Sequence, residues 1–425
     1  MLDIKFIREN LDLIKGAALK KHIDVDLDEL IRLDHQRTAI LQEVEKMRAE
    51  QNDYSKKIAE TSNAQERAGM IEQMRTLKTL LQKKEKELER VMEKWRPLML
   101  RVPNVPDVSV PDGESDAGNL EVKVWGKIPQ FSFKPKSHIE LMEALNMVDF
   151  DRGAKVAGFR GYFLKGEAVR LTLALWQFVF DEMHKKGSFT PLMTPSIVRK
   201  EIMMGTGYLP QGEDDLYATQ DKEYLIGTSE APAMGYYMDE ILKKEDLPVK
   251  FLGFSPCFRR EAGAHGKDTK GVFRVHEFFK FEQVVLCEAS HDESVKYHEE
   301  LTENAESLLQ ALEIPYHVVI NCGGDLGLGQ VKKYDIEAWV PSENKYRETH
   351  SSSYFHDFQT RRLNIRYRDA DGTLKFVHSL NNTALATPRI LVSLIENNQQ
   401  EDGSIKIPSA LRKYVGMDVI KQKRL

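Results

Sequence analysis

Two short rows of charged and aromatic residues stand out in the stretch CFRREAGAHGKDTKGVFRVHEFFKFE, which runs from Cys257 to Glu282. Residues two apart on a strand share a face. Arg259 therefore lies beside Glu261, and Arg274, His276, Phe278, Lys280 and Glu282 form a second row. Arginine forks grip phosphate oxygens in pairs. An aromatic plane stacks on a base, and a carboxylate accepts from an exocyclic amine. The stretch reads as two strands, the second from Val272 to Val285 and dense in aromatic and β-branched residues. Between them Ala262 to Gly271 holds three glycines with Lys267, Asp268 and Lys270, a mobile basic turn. Buried charges need partners, so this face suits an anionic nucleotide better than a core. An exposed hairpin laced with cross-strand ion pairs would use the same residue types.

Other stretches add polar chemistry. In Leu225–Glu230 (LIGTSE) the hydroxyl of Thr228 and the carboxylate of Glu230 can hold an ammonium group. A helix N-cap before Ala231-Pro232 fits the same residues, and both readings can hold together. Gly205 to Tyr217 (GTGYLPQGEDDLY) reads as a mobile lid, because its acids fall in a glycine-bearing run. The glycine-rich CGGDLGLGQ after Asn321 lacks Walker or Rossmann spacing and reads as structural. Val377 to Arg389 opens a long helix, Ile390 to Asn397. A helix N-terminal region with an arginine is a good seat for a polyphosphate.

These motifs carry a resemblance. Phe258-Arg259-x-Glu261 followed by Arg274, Phe278 and Glu282 resembles motif 2 of the class II aminoacyl-tRNA synthetases, and the wording around it is similar to the seryl-tRNA synthetases in particular. Gly187 to Pro195 resembles motif 1, with Pro195 at the motif's proline, which implies a homodimer interface. Thr228 and Glu230, flanking Ser229, look like the TxE serine-binding element. Asp335 to Ala338 is similar to a buried strand near the amino-acid pocket, and Val377 to Arg389 looks like motif 3. Glu348 and Ser351 match the family's metal- and ATP-binding pair, and oxygen ligands of this kind suit Mg²⁺ bridging phosphates. His350 stands where the family commonly has serine, and Tyr354 where asparagine is frequent; His350 reads as a neighbour rather than a base.

The resemblance implies an ATP site of Arg259, Arg260, Glu261, Arg274, Val275, Phe278, Glu348, Thr349, His350, Ser351 and Arg389. Arg389 and Phe278 would face opposite sides of the adenine. Serine would be held by Thr228, Ser229, Glu230, Glu282 and Thr383. It also implies an α+β fold: an antiparallel six- to seven-stranded sheet flanked by helices, with an N-terminal antiparallel two-helix coiled-coil arm. The expected substrates are ATP, L-serine, tRNA(Ser) and also tRNA(Sec), with Mg²⁺ and no zinc. A class II ligase that charges a carrier protein would lack the arm. A coiled-coil RNA-binding scaffold with a decayed body would not keep Arg259, Glu261, Phe278, Glu348 and Arg389.

The elements that must position these residues follow from pattern and composition. The chain has 425 residues, 41% hydrophobic and 30% charged, enough for two or three domains. A net charge of −5 argues against indiscriminate nucleic-acid binding but leaves room for a basic patch. Three cysteines without CxxC pairing fit a reducing cytoplasm. No apolar run is long enough to span a bilayer. Ile4, Ile7, Leu11 and Ile14 recur at helical spacing. From Leu30 a heptad seam runs through Leu33, Ile40, Val44 and Met47. Thr61 to Gly69 breaks it, and a second seam follows through Ile71, Met74, Leu81, Leu88, Met92 and Trp95 until Pro97 stops it. These make a projecting helical hairpin, each helix on the order of 40 Å long.

Proline-rich Arg96 to Gly126 reads as a linker, with the boundary between an N-terminal domain (1–110) and a catalytic domain (111–425) near residue 110. In the body, Ala168 to Lys185 is an apolar helix, and Glu288 to Leu312 is an amphipathic surface helix. Gly187 to Pro195 is a strand whose prolines exclude it from the centre of a sheet. Arg361, Arg362, Arg366 and Arg368 form a basic strand.

Overall fold

The computed structural model describes residues 1–263, 266 and 268–422, so Lys267 of the hairpin loop lies outside the described residues. The chain forms two compact units, Met1–Pro103 and Asn104–Leu425.

The first unit is helical: Ile4–Glu9, Leu11–Lys20, Leu27–Glu60 and Ala64–Arg101. Asp26 caps the third helix by accepting from the Glu29 amide at 2.8 Å. Asn63 caps the fourth by accepting from the Gln65 amide at 2.9 Å. That cap starts the fourth helix at Ala64, so the break is three residues rather than Thr61 to Gly69. The long helices hold 34 and 38 residues, about 51 and 57 Å at 1.5 Å per residue, longer than the pattern suggests. Ile40, Val44 and Leu81 are buried along their seam, with Met47, Leu88 and Val91 packed against them. Arg48 pairs with Glu85 at 2.7 Å and Lys84 with Glu43 at 2.8 Å across the seam. Pro97 does not stop the second long helix, which continues to Arg101. A proline forfeits one intrahelical bond. Burial of Met99 and Val102 in and just after the last turn outweighs that loss.

The second unit is built on one eight-stranded sheet. Along the chain its strands are β1 (Leu120–Trp125), β2 (Thr190–Met193), β3 (Val249–Phe258), β4 (Glu277–Cys287), β5 (Tyr316–Ile320), β6 (Lys332–Val340), β7 (Lys345–His356) and β8 (His378–Thr387). In space they lie in the order β1-β5-β6-β7-β8-β4-β3-β2. Every pairing is antiparallel except β2 with β3, which is parallel. β2, carrying Pro191, sits at one edge, where a missing amide costs no ladder bond. The eighth strand comes from the stretch read as a linker: β1 adds to β5, with Trp125 stacked on Tyr316 at 5.6 Å between ring centroids.

Helix His291–Ala311 covers one face of this sheet. Its His298 ring meets the Ser352 carbonyl at 3.0 Å, and the Gln283 amide donates to the Leu301 carbonyl at 3.1 Å. The helix is therefore half buried rather than a surface element, with Leu301, Ala305 and Leu308 in the core. Helix Glu167–Lys185 buries Leu171, Leu175, Phe178 and Val179 in the same core.

Three further elements differ from the sequence pattern. The strand expected from Val272 starts only at Glu277, because Val272, Phe273 and Val275 are buried in the connecting loop instead. Arg361 and Arg362 belong to helix Phe358–Leu363, where Asp357 accepts from Arg361 Nε at 2.7 Å. Only Arg366 and Arg368 lie on a strand, in a small sheet with Ile241–Lys243 and Leu374–Phe376. Most of Val377 to Arg389 is the strand β8, paired on both sides. The helix after it, Arg389–Asn397, has nine residues.

Candidate active site

On the sheet face opposite helix His291–Ala311 lies a cavity of about 460 Å³. Its floor is the adjacent strands β7, β8 and β4. Alternation along β4 points Phe278, Lys280 and Glu282 into it. β8 contributes Asn381 and Thr383, and β7 contributes Glu348, Ser351, Ser353 and Phe355. Cross-strand register sets the long axis: Thr383 lies opposite Glu282, and Thr387 opposite Phe279. The Glu282–Thr383 level and the Phe278–Arg389 level are therefore roughly 13 Å apart.

Two β-bulges shape the floor. Glu348 and Ser351 are three apart, which on a regular strand would put them on opposite faces. The ladder between β6 and β7 slips at Thr349: Ile336 pairs with His350, but Glu337 pairs with Glu348. The extra residue returns both oxygens to the cavity. A second slip in β8 pairs Thr383 with Glu282 but Leu385 with Phe281, so Thr383 and Ala386 both line the cavity.

At one end the carboxylates are held by named donors. Glu230 accepts from the Tyr208 hydroxyl at 2.6 Å and from Gln359 Nε2 at 2.7 Å. Glu282 pairs with Lys280 at 2.5 Å and accepts from the Thr383 hydroxyl at 3.3 Å. Burial, with Glu230 nearby, pushes the Glu282 carboxyl above its usual range despite Lys280 and Arg259. Thr228 and Ser229 are fully buried behind Glu230 and do not line the cavity. The Thr228 hydroxyl accepts from the Glu230 amide at 3.2 Å, so it steadies the start of helix Glu230–Gly235. Ser229 packs against Gly253, where a Cβ would stand 2.7 Å from its hydroxyl oxygen.

The other end is cationic and aromatic. The Arg259 guanidinium lies 5.3 Å from the Phe278 ring centre and donates to the Gly227 carbonyl at 3.3 Å. Arg274 bonds Glu261 at 2.5 Å. Arg389 and Arg347 both lie over Phe273, at 4.9 and 3.8 Å. Arg389 also reaches the Glu348 carboxylate at 3.4 Å. The Glu348 side chain is 46% exposed, and the nearby charges of Arg389, Lys333 and Arg259 hold its carboxyl below its usual range.

Of the residues singled out in the sequence, Arg259, Glu261, Arg274, Val275, Phe278, Glu348, Thr349, Ser351 and Arg389 line one cavity with Glu230, Glu282 and Thr383. Arg260 is exposed outside it, its amide bound to the Asp215 carbonyl at 3.0 Å. His276 points away and lines a separate hollow of about 270 Å³. His350 is buried on the far side of the floor, its pKa pushed down to about 4 by burial. Tyr208 and Gln211, from the stretch read as a lid, line the cavity, and so do Phe273, Asn381 and the loop Gly327–Gln330, which had no role in it from sequence. Gly327–Gln330 comes from the glycine-rich segment read as structural, and Gln330 Nε2 donates to the Ser353 hydroxyl at 2.8 Å. The only advance signal for Phe273 was its place inside the basic hairpin.

An antiparallel sheet whose hairpin β3–β4 and strands β7 and β8 converge on one cationic and acidic cavity is the catalytic core of a class II aminoacyl-tRNA synthetase. Residues 214–398 match the family model for the tRNA synthetase class II core domain (G, H, P, S and T), and residues 1–106 match the seryl-tRNA synthetase N-terminal domain. The serine–tRNA ligase of Deinococcus radiodurans is 46% identical over 417 residues, 98% of each chain, and that of Treponema denticola 42% identical over 99% of this chain and 100% of its own. The crystal structure of seryl-tRNA synthetase from Pyrococcus horikoshii complexed with ATP superposes with a TM-score of 0.89 at 40% identity over the full length of both chains. The cytoplasmic enzyme of Naegleria fowleri in complex with AMP gives 0.86 at 33%, covering 100% of this chain and 99% of its own. The chain belongs to the serine–tRNA ligase family and is an ATP-dependent ligase.

Proposed function

We propose that the chain activates L-serine with ATP and transfers it to tRNA(Ser), and also to tRNA(Sec), at this cavity. One observation carries the reading: phosphate-gripping Arg259 and Arg274, stacking Phe278 and Arg389, and the carboxylates Glu230 and Glu282 with Thr383 line a single hollow. In the first step the serine carboxylate oxygen attacks the α-phosphorus, and pyrophosphate leaves. In the second, a terminal ribose hydroxyl of the tRNA attacks the seryl carbonyl, and AMP leaves. Neither step needs a nucleophile from the protein, so positioning and charge carry the catalysis.

Arg259 steadies the α-phosphate and Arg274 the outer phosphates. Glu261 and the backbone at Val275 hold the adenine, which stacks between Phe278 and Arg389. Glu230, held in place by its two donors, takes the serine ammonium, and Thr228 acts by fixing the turn beneath it. Glu282 and Thr383 read the hydroxyl. Alanine is rejected because it leaves these buried groups unpaired.

Glu348 and Ser351 suit a divalent ion. Among the described residues no group of three or more histidine, cysteine, aspartate or glutamate side chains could hold a metal by itself. A carboxylate and a hydroxyl on one face fit Mg²⁺ that arrives with nucleotide phosphates, where it would neutralise their charge.

Edge strand β2 and helix Glu167–Lys185 support a homodimer. Met193 is 88% exposed and Leu173 55%, an apolar surface a second copy would cover. Among the described residues no helix is long and apolar enough to cross a membrane. Serine-dependent ATP–pyrophosphate exchange tests the activation step. Arg259→Ala should lower exchange by about a hundredfold or more with circular dichroism unchanged. Near-normal exchange would remove Arg259 from the phosphate site.

A further inference from the structure

We propose that His350 is a positioning residue that ties the two bulges of the cavity floor together and so keeps the nucleotide and serine subsites in register. The observation is geometric. His350 follows the bulged Thr349 of β7, and its ring lies on the floor's far side, 1% exposed. Its Nδ1 lies 2.8 Å from the Thr349 hydroxyl and its Nε2 3.2 Å from the Ala384 carbonyl. Ala384 is the extra residue of the bulge in β8. A carbonyl only accepts, so Nε2 carries the hydrogen and Nδ1 accepts from Thr349.

One ring therefore spans both slips. On the β7 side the slip turns Glu348 and Ser351 to the cavity. On the β8 side it sits next to Thr383, which bonds Glu282 at 3.3 Å. Ordinary ladder bonds are interrupted at a bulge, so a side-chain bond has more influence on strand placement there than in regular pairing. A displacement well under an ångström at either bulge would shift groups that must meet the α-phosphate and the serine carboxylate together.

This inference rests on the reading of the cavity given above. It extends that reading to a residue touching neither substrate. The test is pyrophosphate exchange, with KM for ATP and for serine measured separately and each variant shown to be folded at the assay temperature. His350→Phe keeps the ring's bulk and loses both bonds. It should raise both KM values roughly tenfold. His350→Gln places an amide nitrogen where Nε2 stands and keeps the Ala384 bond, so it should raise KM for ATP alone. His350→Asn places an oxygen where Nδ1 stands and keeps the Thr349 bond, so it should raise KM for serine alone.

A role in stability only would lower the melting temperature of all three and leave both KM values unchanged. That result, or equal changes of both KM values in Gln and Asn variants, would overturn the proposal. Should His350→Phe fail to fold, the Gln and Asn pair decides by itself. An unaltered chain without serine-dependent exchange would instead sink the activation reading; normal exchange with an unresponsive His350 sinks only this one.

Discussion

Glu282 is the most conflicted residue of the cavity. It is buried, shares its end with Glu230, and depends on Lys280 for a counter-charge. Burial raises its pKa, so on acidification it takes up a proton earlier than an ordinary glutamate would. Serine binding needs its charge in the proposed scheme. KM for serine should therefore climb as pH falls from 7 toward about 5, whereas Glu282→Gln should show a high KM that is flat across that range. A flat profile in the unaltered chain would remove Glu282 from recognition. At this scale much was legible: strand alternation alone puts Phe278, Lys280 and Glu282 on one face. It misplaced His276, because the regular strand begins only at Glu277, while Arg274 reaches the cavity from the loop before it. Buried Val272, Phe273 and Val275 pull the chain off a strand path before that, and Phe273 lies beneath Arg347 and Arg389 as a result.

At the scale of elements, edge strand β1 poses the clearest question. His317 of β5 is held between Glu121 of β1 at 2.7 Å and Glu337 of β6 at 2.8 Å, and stacks on Tyr346 at 4.1 Å. Partial burial opposes its charge, but the two carboxylates prevail and raise its pKa. A histidine raised on folding adds stability that is fully present below its unfolded pKa near 6.5 and lost as pH rises through the folded value. Amide exchange in β1 should therefore quicken between pH 6.5 and 8.5, beyond the intrinsic rise, and His317→Gln should abolish that excess. Identical corrected profiles would show that the clamp does not hold the edge. The bulge at Thr349 belongs to the same scale. Sequence spacing alone would have divided Glu348 from Ser351, since a three-residue step crosses the sheet. Only the resemblance paired them, and only the register explains how they share a face.

For the whole molecule, the helical hairpin is separable in principle from the catalytic unit. The Arg37 guanidinium lies 5.1 Å from the Trp95 ring centre, so the ends left by removing Thr38 to Lys94 are already neighbours and a short linker can join them. The shortened chain should keep serine-dependent exchange within about threefold and lose charging of tRNA(Ser) by two orders of magnitude or more, as expected if the hairpin supplies shape and phosphate contacts. Unimpaired charging would take the arm out of the mechanism. The proposed homodimer is tested at this scale too. Met193→Asp at the exposed edge should shift sedimentation toward a single chain, and a variant that sediments unchanged would place the interface elsewhere.

Local pattern determined what local forces decide. Heptads made the long helices, period two made the hairpin, prolines sent β2 to an edge, and the charged rows marked the nucleotide end. Tertiary structure decided the rest. A linker became the eighth strand because Trp125 found Tyr316. Pro97 stayed helical because Met99 and Val102 are buried, and two bulges turned three-residue spacings into one continuous floor. Such choices depend on which partner strand lies alongside, and a sequence read along its length carries no direct record of its neighbours across the sheet.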